Sequence, residues 1–164
     1  MAFNIQIVGD REVIARFAAM PEGVRQALKN KVTVLAYKLQ AKVVSEKLSG
    51  QVLNRVTGKL ARSIHNVIDD EGLKVTGKVA SSGDVKYAAR HEFGFTGTES
   101  IKAHTRTITQ AFGEQLSEAK QVAVRAYSRQ AKTPERSFLR SSLDDMREEI
   151  IKGLTDAVQK AIKE

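Results

Sequence analysis

Few residues able to do chemistry are present, and their spacing does not assemble a reaction. Of the three histidines His65, His91 and His104, none has a second ligand four residues on. His91-Glu92 is not followed by the x-x-His that would set two imidazoles on one helix face around zinc. Thr57-Gly58-Lys59 and Thr76-Gly77-Lys78 resemble the end of a phosphate loop, but Leu60 and Val79 stand where a hydroxyl must reach magnesium. Asp69-Asp70-Glu71 reads as a charged hairpin turn rather than a cation site. There is no Gly-x-Ser-x-Gly, and spacing alone supports no Ser/His/Asp set. The absence of cysteine excludes disulfides, thiolate-bound zinc, iron–sulfur clusters and thiol catalysis. The expectation is a protein that is not an enzyme and needs no metal or cofactor.

Hydrophobic periodicity supplies the elements. Phe3 to Val8 alternates apolar and polar, which predicts a strand. A short helix follows from Asp10 to Met20. After Pro21, the residues Val24, Leu28, Val32, Leu35, Leu39 and Val43 recur at steps of three or four, one stripe on a long helix that Ser49-Gly50 ends. Residues 51–60 read as loop and 62–81 as a β-hairpin with an Asp/Gly turn. Tyr87 to Gly94 is a short helical turn, and 95–100 a loop. Lys102-Ala103-His104-Thr105-Arg106 and Arg125-Ala126-Tyr127-Ser128-Arg129 repeat one pattern: basic, Ala, ring, hydroxyl, basic. They predict two strands of one hairpin, joined by a long connection around Phe112–Leu116. Leu139, Leu143, Met146, Ile150, Leu154, Val158 and Ile162 form a second stripe, on one helix over 141–163 that carries Gly153 inside it. The predicted core is Ile5, Ile7, Val24, Leu28, Val32, Leu35, Leu39, Ile64, Val67, Val75, Val79, Phe138, Leu143, Ile150 and Leu154. These elements give an α+β fold: an antiparallel sheet packed against two long helices, with a protruding β-hairpin arm. It is read as a single domain over 1–164, with the arm inserted at 98–132.

The chain of 164 residues is 41% hydrophobic and 28% charged, which suits one folded domain and not a disordered tail. No apolar run reaches the roughly 18 residues of a membrane span, and no basic-then-apolar signal pattern opens the chain. No membrane partner is expected, and synthesis and assembly are expected in the cytoplasm. The net charge is +8. Residues 21–60 carry eight Lys/Arg against two Glu, and residues 101–140 eight against three. A solvated surface, a groove for a polyanion and acidic protein partners all fit that distribution. Aromatic residues are only 5% and tryptophan is absent, which weakens a single-strand stacking reader.

Three segments in order resemble a family of tailed-bacteriophage virion proteins. They are Thr57-Gly58-Lys59-Leu60-Ala61-Arg62-Ser63-Ile64, then Tyr87-Ala88-Ala89-Arg90-His91-Glu92-Phe93-Gly94, then Glu135-Arg136-Ser137-Phe138-Leu139-Arg140-Ser141-Ser142-Leu143. The chain is similar to the tail-completion or minor-tail-component group, that of the minor tail protein Z of lambdoid and Mu-like phages. Ser137 replaces a proline of many members, and 98–132 is a long insert. The resemblance implies a structural virion protein of the neck or tail: tail completion, tail terminator or head–tail joining. It implies a hexameric ring of this chain, assembled in the host cytoplasm, with tail-tube and head–tail connector proteins as partners and non-specific contact with DNA in the channel. Thr57, Gly58, Leu60, Ser63, Ile64, Tyr87, Glu92, Phe93, Gly94, Phe138, Leu139 and Arg140 would then be scaffold, with Tyr87, Phe93 and Phe138 as apolar anchors. Lys102, His104, Arg106, Arg125, Tyr127 and Arg129 are the candidate interface of the arm, facing acids such as Asp144, Asp145, Glu148 or Glu149 of a neighbouring subunit. The alternative is a stand-alone basic nucleic-acid-binding protein.

Overall fold

The computed structural model describes residues 4–6, 22–71 and 74–163, the first three by backbone alone. The expected helix at 10–20, Pro21, the core position Ile7 and the turn residues 72–73 lie outside the described residues. Two compact units form: a body up to Gly94 and from Pro134 onward, and a ribbon over Phe95–Thr133. The single-domain expectation with an arm at 98–132 is redrawn at those bounds. The fold is α+β, with antiparallel sheets and helices packed on one of them.

In the body, helix α1 (Glu22–Lys42) buries Val24, Leu28, Leu35, Ala36 and Leu39 along its apolar stripe. Each such Val or Leu side chain is worth about 1.5–3 kcal/mol when fully buried. The helix continues into a wider, π-helical segment, Val43–Gln51, which ends where Gly50 takes φ 124°. The amides of Val52 and Leu53 both donate back to the Lys47 carbonyl, closing the end. The sheet has the order β1-β3-β2, from β1 (Asn4–Gln6), β2 (Ile64–Asp70) and β3 (Val75–Ser81), all antiparallel. Gly77 lies under α1, where a Cβ would stand 3.1 Å from Val32 and 3.2 Å from Ala36. Gln40 of α1 donates to the Ile64 carbonyl, and Arg25 and Lys29 hold Asp70. So Ile64, Asn66, Ile68 and Asp70 face α1. Val67 lies on the other side by alternation and is 42% exposed, so it leaves the predicted core. Thr76-Gly77-Lys78 runs through the middle of β3, an extended strand with no loop to cradle a phosphate.

Two further expectations change. Residues 59–60 are not loop: helix α2 (Lys59–Ser63) starts right after Gly58. The C-terminal helix is not continuous but splits into α4 (Leu139–Asp145) and α5 (Arg147–Lys163) at Met146. The stripe carries on across the break, and Leu139, Met146 and Ile150 are all buried. Helix α5 packs on α1, and the end of the Lys31 side chain lies over Gly153. A Cβ there would lie 2.5 Å from the Lys31 Cε. Lys38 bonds Glu149, while Lys42 and Lys47 hold Asp145 across the same face.

The ribbon is one long antiparallel pair. Strand β4 (Phe95–Ile101) pairs with β7 (Tyr127–Thr133), and β5 (His104–Ala111) with β6 (Glu114–Val124). The register runs on unchanged from Ile101↔Tyr127 to His104↔Val124. It shifts only between Ile108 and Gln110, where Leu116 to Ala119 bulge opposite Thr109. Three expectations are corrected. Residues 95–100 are strand, not loop. The near-repeats hold the break, at Lys102-Ala103 and Arg125-Ala126, rather than two strand centres. The connection is not long: Phe112 (φ 56°) and Gly113 (φ 88°) form a two-residue turn with both φ positive, the hairpin geometry that matches strand twist. At about 3.3 Å per residue the ribbon runs some 50 Å. No residue from 95 to 133 is buried.

Candidate functional site

Helix α3 (Tyr87–Phe93) delivers one carboxylate into the body, and that carboxylate joins two of the three sequence segments. Glu92 has no exposed surface. Its Oε2 accepts from the backbone N–H of Phe138 (2.8 Å) and Leu139 (2.9 Å). Its Oε1 accepts from Ser137 Oγ (2.7 Å), the Arg140 amide (2.9 Å) and Arg140 Nε (3.1 Å). The first turn of α4 leaves amides without helical partners and carries the positive end of its dipole. Residues that normally cap a helix lie just before it; here a side chain from another helix does so. Both oxygens of the carboxylate are engaged, and together they hold the start of α4.

Arg140 closes the arrangement. Its Nη2 donates to the Glu92 carbonyl and to Glu135 Oε1, each at 2.7 Å, and its guanidinium lies 4.7 Å from the Phe93 ring centroid. Burial pulls the Arg140 pKa down, but the hydrogen bond to Glu92 and the charges of Glu135 and Glu92 outweigh it, and the pKa is raised. The Arg136 amide donates to the His91 carbonyl at 2.7 Å. Behind this contact Phe138 and Leu139 are fully buried, and Ser142 donates to the Phe138 carbonyl. Phe138 is thus the anchor expected of it. Tyr87 (40% exposed) and Phe93 (51%) are not: one stands edge-on to His91, and the other is a platform for Arg140.

The first segment reaches the same helix from the other side. Gly58 takes φ 70° before α2, a conformation costly for any residue with a Cβ. Thr57 Oγ1 accepts from the Lys59 amide, and Arg62 donates to the Thr57 carbonyl. Ser63 donates to the Leu60 carbonyl and shares a hydrogen bond with Ser81 of β3, and Ile64 enters the core. Thr57, Gly58 and Leu60 line a cleft of about 260 Å³ together with Tyr87 and His91. The His91 Nδ1 is buried there without a hydrogen-bond partner among the described residues. Burial and the nearby Arg136 charge lower its pKa. Gly94 then turns the chain out of α3.

The arm residues are brought together only in part. Arg129 of β7 pairs with Glu99 of β4 at 3.0 Å, and Tyr127 lies opposite Ile101. Lys102 and Arg125 sit at the break, and His104 and Arg106 open β5. Asp145 already binds Lys47 and Lys42, Glu149 binds Lys38, and Asp144 binds Arg147, so three of the four acids expected to receive the arm are engaged within the body. Sequence reasoning did not find the Glu92 cap, because it joins residues 45–48 positions apart, nor the Phe112-Gly113 turn, for which Gly113 was the available signal. Among the described residues no group of His, Asp or Glu is arranged to hold a metal ion, and no helix is long and apolar enough to cross a membrane. Compared with known families, curated proteins and solved structures, the chain matches none.

Proposed function

We propose that this chain is a structural virion protein of the phage neck or tail, acting in tail completion, termination or head–tail joining as a hexameric ring with tail-tube and connector partners. The observation that carries the reading is the ribbon: four paired strands over Phe95–Thr133 without one buried side chain. A two-stranded ribbon is marginal in water by itself, and among the described residues each of its strands pairs along one edge only, which leaves the other to extend a sheet in a neighbouring subunit. The body supports the reading in another way. The three segments that carry the family resemblance meet around α3, one through Glu92 and one through the cleft beside His91. They act as a scaffold within the body, as the resemblance implies.

The test is location and dependence. Antibody-labelled virions and tails should carry the chain at the head–tail junction. Replacing residues 99–129 with Asn-Gly, which closes the paired Thr98 and Gln130 by a two-residue turn, should leave the body folded and abolish head–tail joining. Absence of the chain from both virions and tails, or normal particles from the shortened chain, refutes the reading. A protein monomeric at every concentration that binds one DNA sequence tightly would be the stand-alone nucleic-acid-binding protein instead.

A further inference from the structure

We infer that one broad face of the ribbon is a duplex-DNA contact surface, read through phosphates and not through sequence. The two faces differ in charge. Ser100 bonds Ser128 and Thr98 bonds Gln130 across the strands on one face, whereas Glu99 bonds Arg129 on the opposite one. With the register unchanged through the break, the first face also carries Lys132 opposite Thr96, Lys102 at the break, His104, Arg106, and Lys120 opposite Ile108. Between Thr96 and Ile108 that face holds four cations and no acid; Glu99 lies behind it, and Glu114 and Glu118 lie beyond it. Among the described residues none of Lys102, Arg106, Lys120 and Lys132 forms an ion pair. Between the cations lie hydroxyl and amide groups, Thr96, Thr98, Ser100, Ser128 and Gln130, able to donate to phosphate oxygens.

Shape and spacing fit the same occupant. A two-stranded ribbon fits the roughly 12 Å major groove. Lys102, Arg106 and Lys120 fall within about 20 Å along the ribbon at 3.3 Å per residue, a length of duplex that carries about 12 phosphates. An acidic protein would need its carboxylates matched to this row, whereas a duplex presents phosphates along its whole length. The tip adds a second feature. Phe112 is fully exposed and stands in the left-handed region, where the turn would take Asn or Gly more readily. An apolar side chain at that place would add an uncharged contact with the duplex, one that does not depend on salt. The inference does not need the ring reading; it needs only the ribbon.

The experiment is fluorescence anisotropy of the full-length protein on a mixed-sequence 30-base-pair duplex, repeated over 50–200 mM salt. Four neutralised phosphates give a slope of log K against log salt of about −3.6, or roughly two orders of magnitude lost over that range. Lys102→Gln/Arg106→Gln/Lys120→Gln should flatten the slope by about 2.7. Arg125→Gln, on the opposite face, should leave it unchanged. Phe112→Asn should weaken binding several-fold at constant slope. Circular dichroism checks that each variant keeps its fold. No binding at 50 mM salt overturns the inference. So does an unchanged slope in the triple variant, or a slope altered as much by Arg125→Gln as by a cation of the basic face. Sequence-selective binding also overturns it, because phosphates carry no sequence. Binding as inferred with no chain at the head–tail junction would leave this inference standing and the virion reading refuted.

Discussion

Replacing Glu92 with Gln changes one atom of the side chain and should cost the body a large part of its stability. The carboxylate receives two donors at Oε2 and three at Oε1. An amide offers one oxygen and one NH2 group. With the oxygen at the Oε2 position, the NH2 meets the Arg140 amide and guanidinium; turned round, it meets the buried amides of Phe138 and Leu139. Either way at least one donor is left facing another. An unsatisfied buried N–H costs about 1–3 kcal/mol, and a hydrogen bond to a charged group contributes about 1.5–3 kcal/mol. Glu92→Gln should therefore cost about 3–5 kcal/mol, against a total of about 5–15 kcal/mol for a domain of this kind. At roughly 2–4 °C per kcal/mol the midpoint should fall by about 6–20 °C. Arg140→Ala removes a partner that is 42% exposed and leaves the backbone donors in place, so it should cost less, about 1–2 kcal/mol. Urea unfolding followed by circular dichroism measures both. A Glu92→Gln loss below about 1 kcal/mol, or an Arg140→Ala loss that exceeds it, would show that the carboxylate does not cap α4.

Phe138→Ala should open a large cavity beside the cap and cost about 3–5 kcal/mol by the same assay; a loss under 1 kcal/mol would contradict its burial. Two glycines should respond with opposite signs: Gly77→Ala presses a methyl onto Val32 and Ala36 and should destabilise by about 1–3 kcal/mol. Gly153→Ala displaces only the flexible end of Lys31 and should gain up to about 1 kcal/mol of helix propensity. His91, with its pKa lowered by burial and by Arg136, binds its proton more readily in the unfolded chain, so its share of stability is fully present above about pH 6.5 and falls as the pH drops through that value towards the folded pKa. His91→Gln should remove that slope from a pH series of unfolding midpoints, and an unchanged slope would assign it to other groups.

What was legible in the sequence is what a period reveals. The stripe from Val24 to Val43 names α1 and its buried face, Ser49-Gly50 marks its end, and the hairpin, expected at 62–81 and found at 64–81, follows from alternation and an acidic turn. Val67 was misplaced because two apolar neighbours, Val67 and Ile68, cannot both face the helix, and the register that decides between them is set by Gln40 and Asp70 contacts. The split at Met146 leaves no mark, since the stripe continues through it. Residues 95–100 read as loop because Thr, Gly and Ser are turn residues by composition; there they pair across to β7 and face solvent on one side. The Glu92 cap is a long-range contact, and local sequence shows only that a glutamate stands before Phe93-Gly94.

The two units answer different physical demands. In the body, a core from Leu35 to Ile150 surrounds the capped start of α4, and buried apolar surface offsets the entropy of ordering the chain. The ribbon has no such term. Ordering each residue costs about 1–2 kcal/mol of backbone entropy, and a cross-strand pair returns only about 0.2–1 kcal/mol. A ribbon of this length therefore gains its firmest order where something else supports it, a neighbour's sheet edge or a phosphate row. In either proposed contact part of the binding free energy would go into that ordering, which would lower affinity per unit of interface and make attachment responsive to salt and to the local density of partners. In the virion role proposed above, a body with its own core joined to a ribbon that has none would delay attachment until a partner is met, without a separate switch.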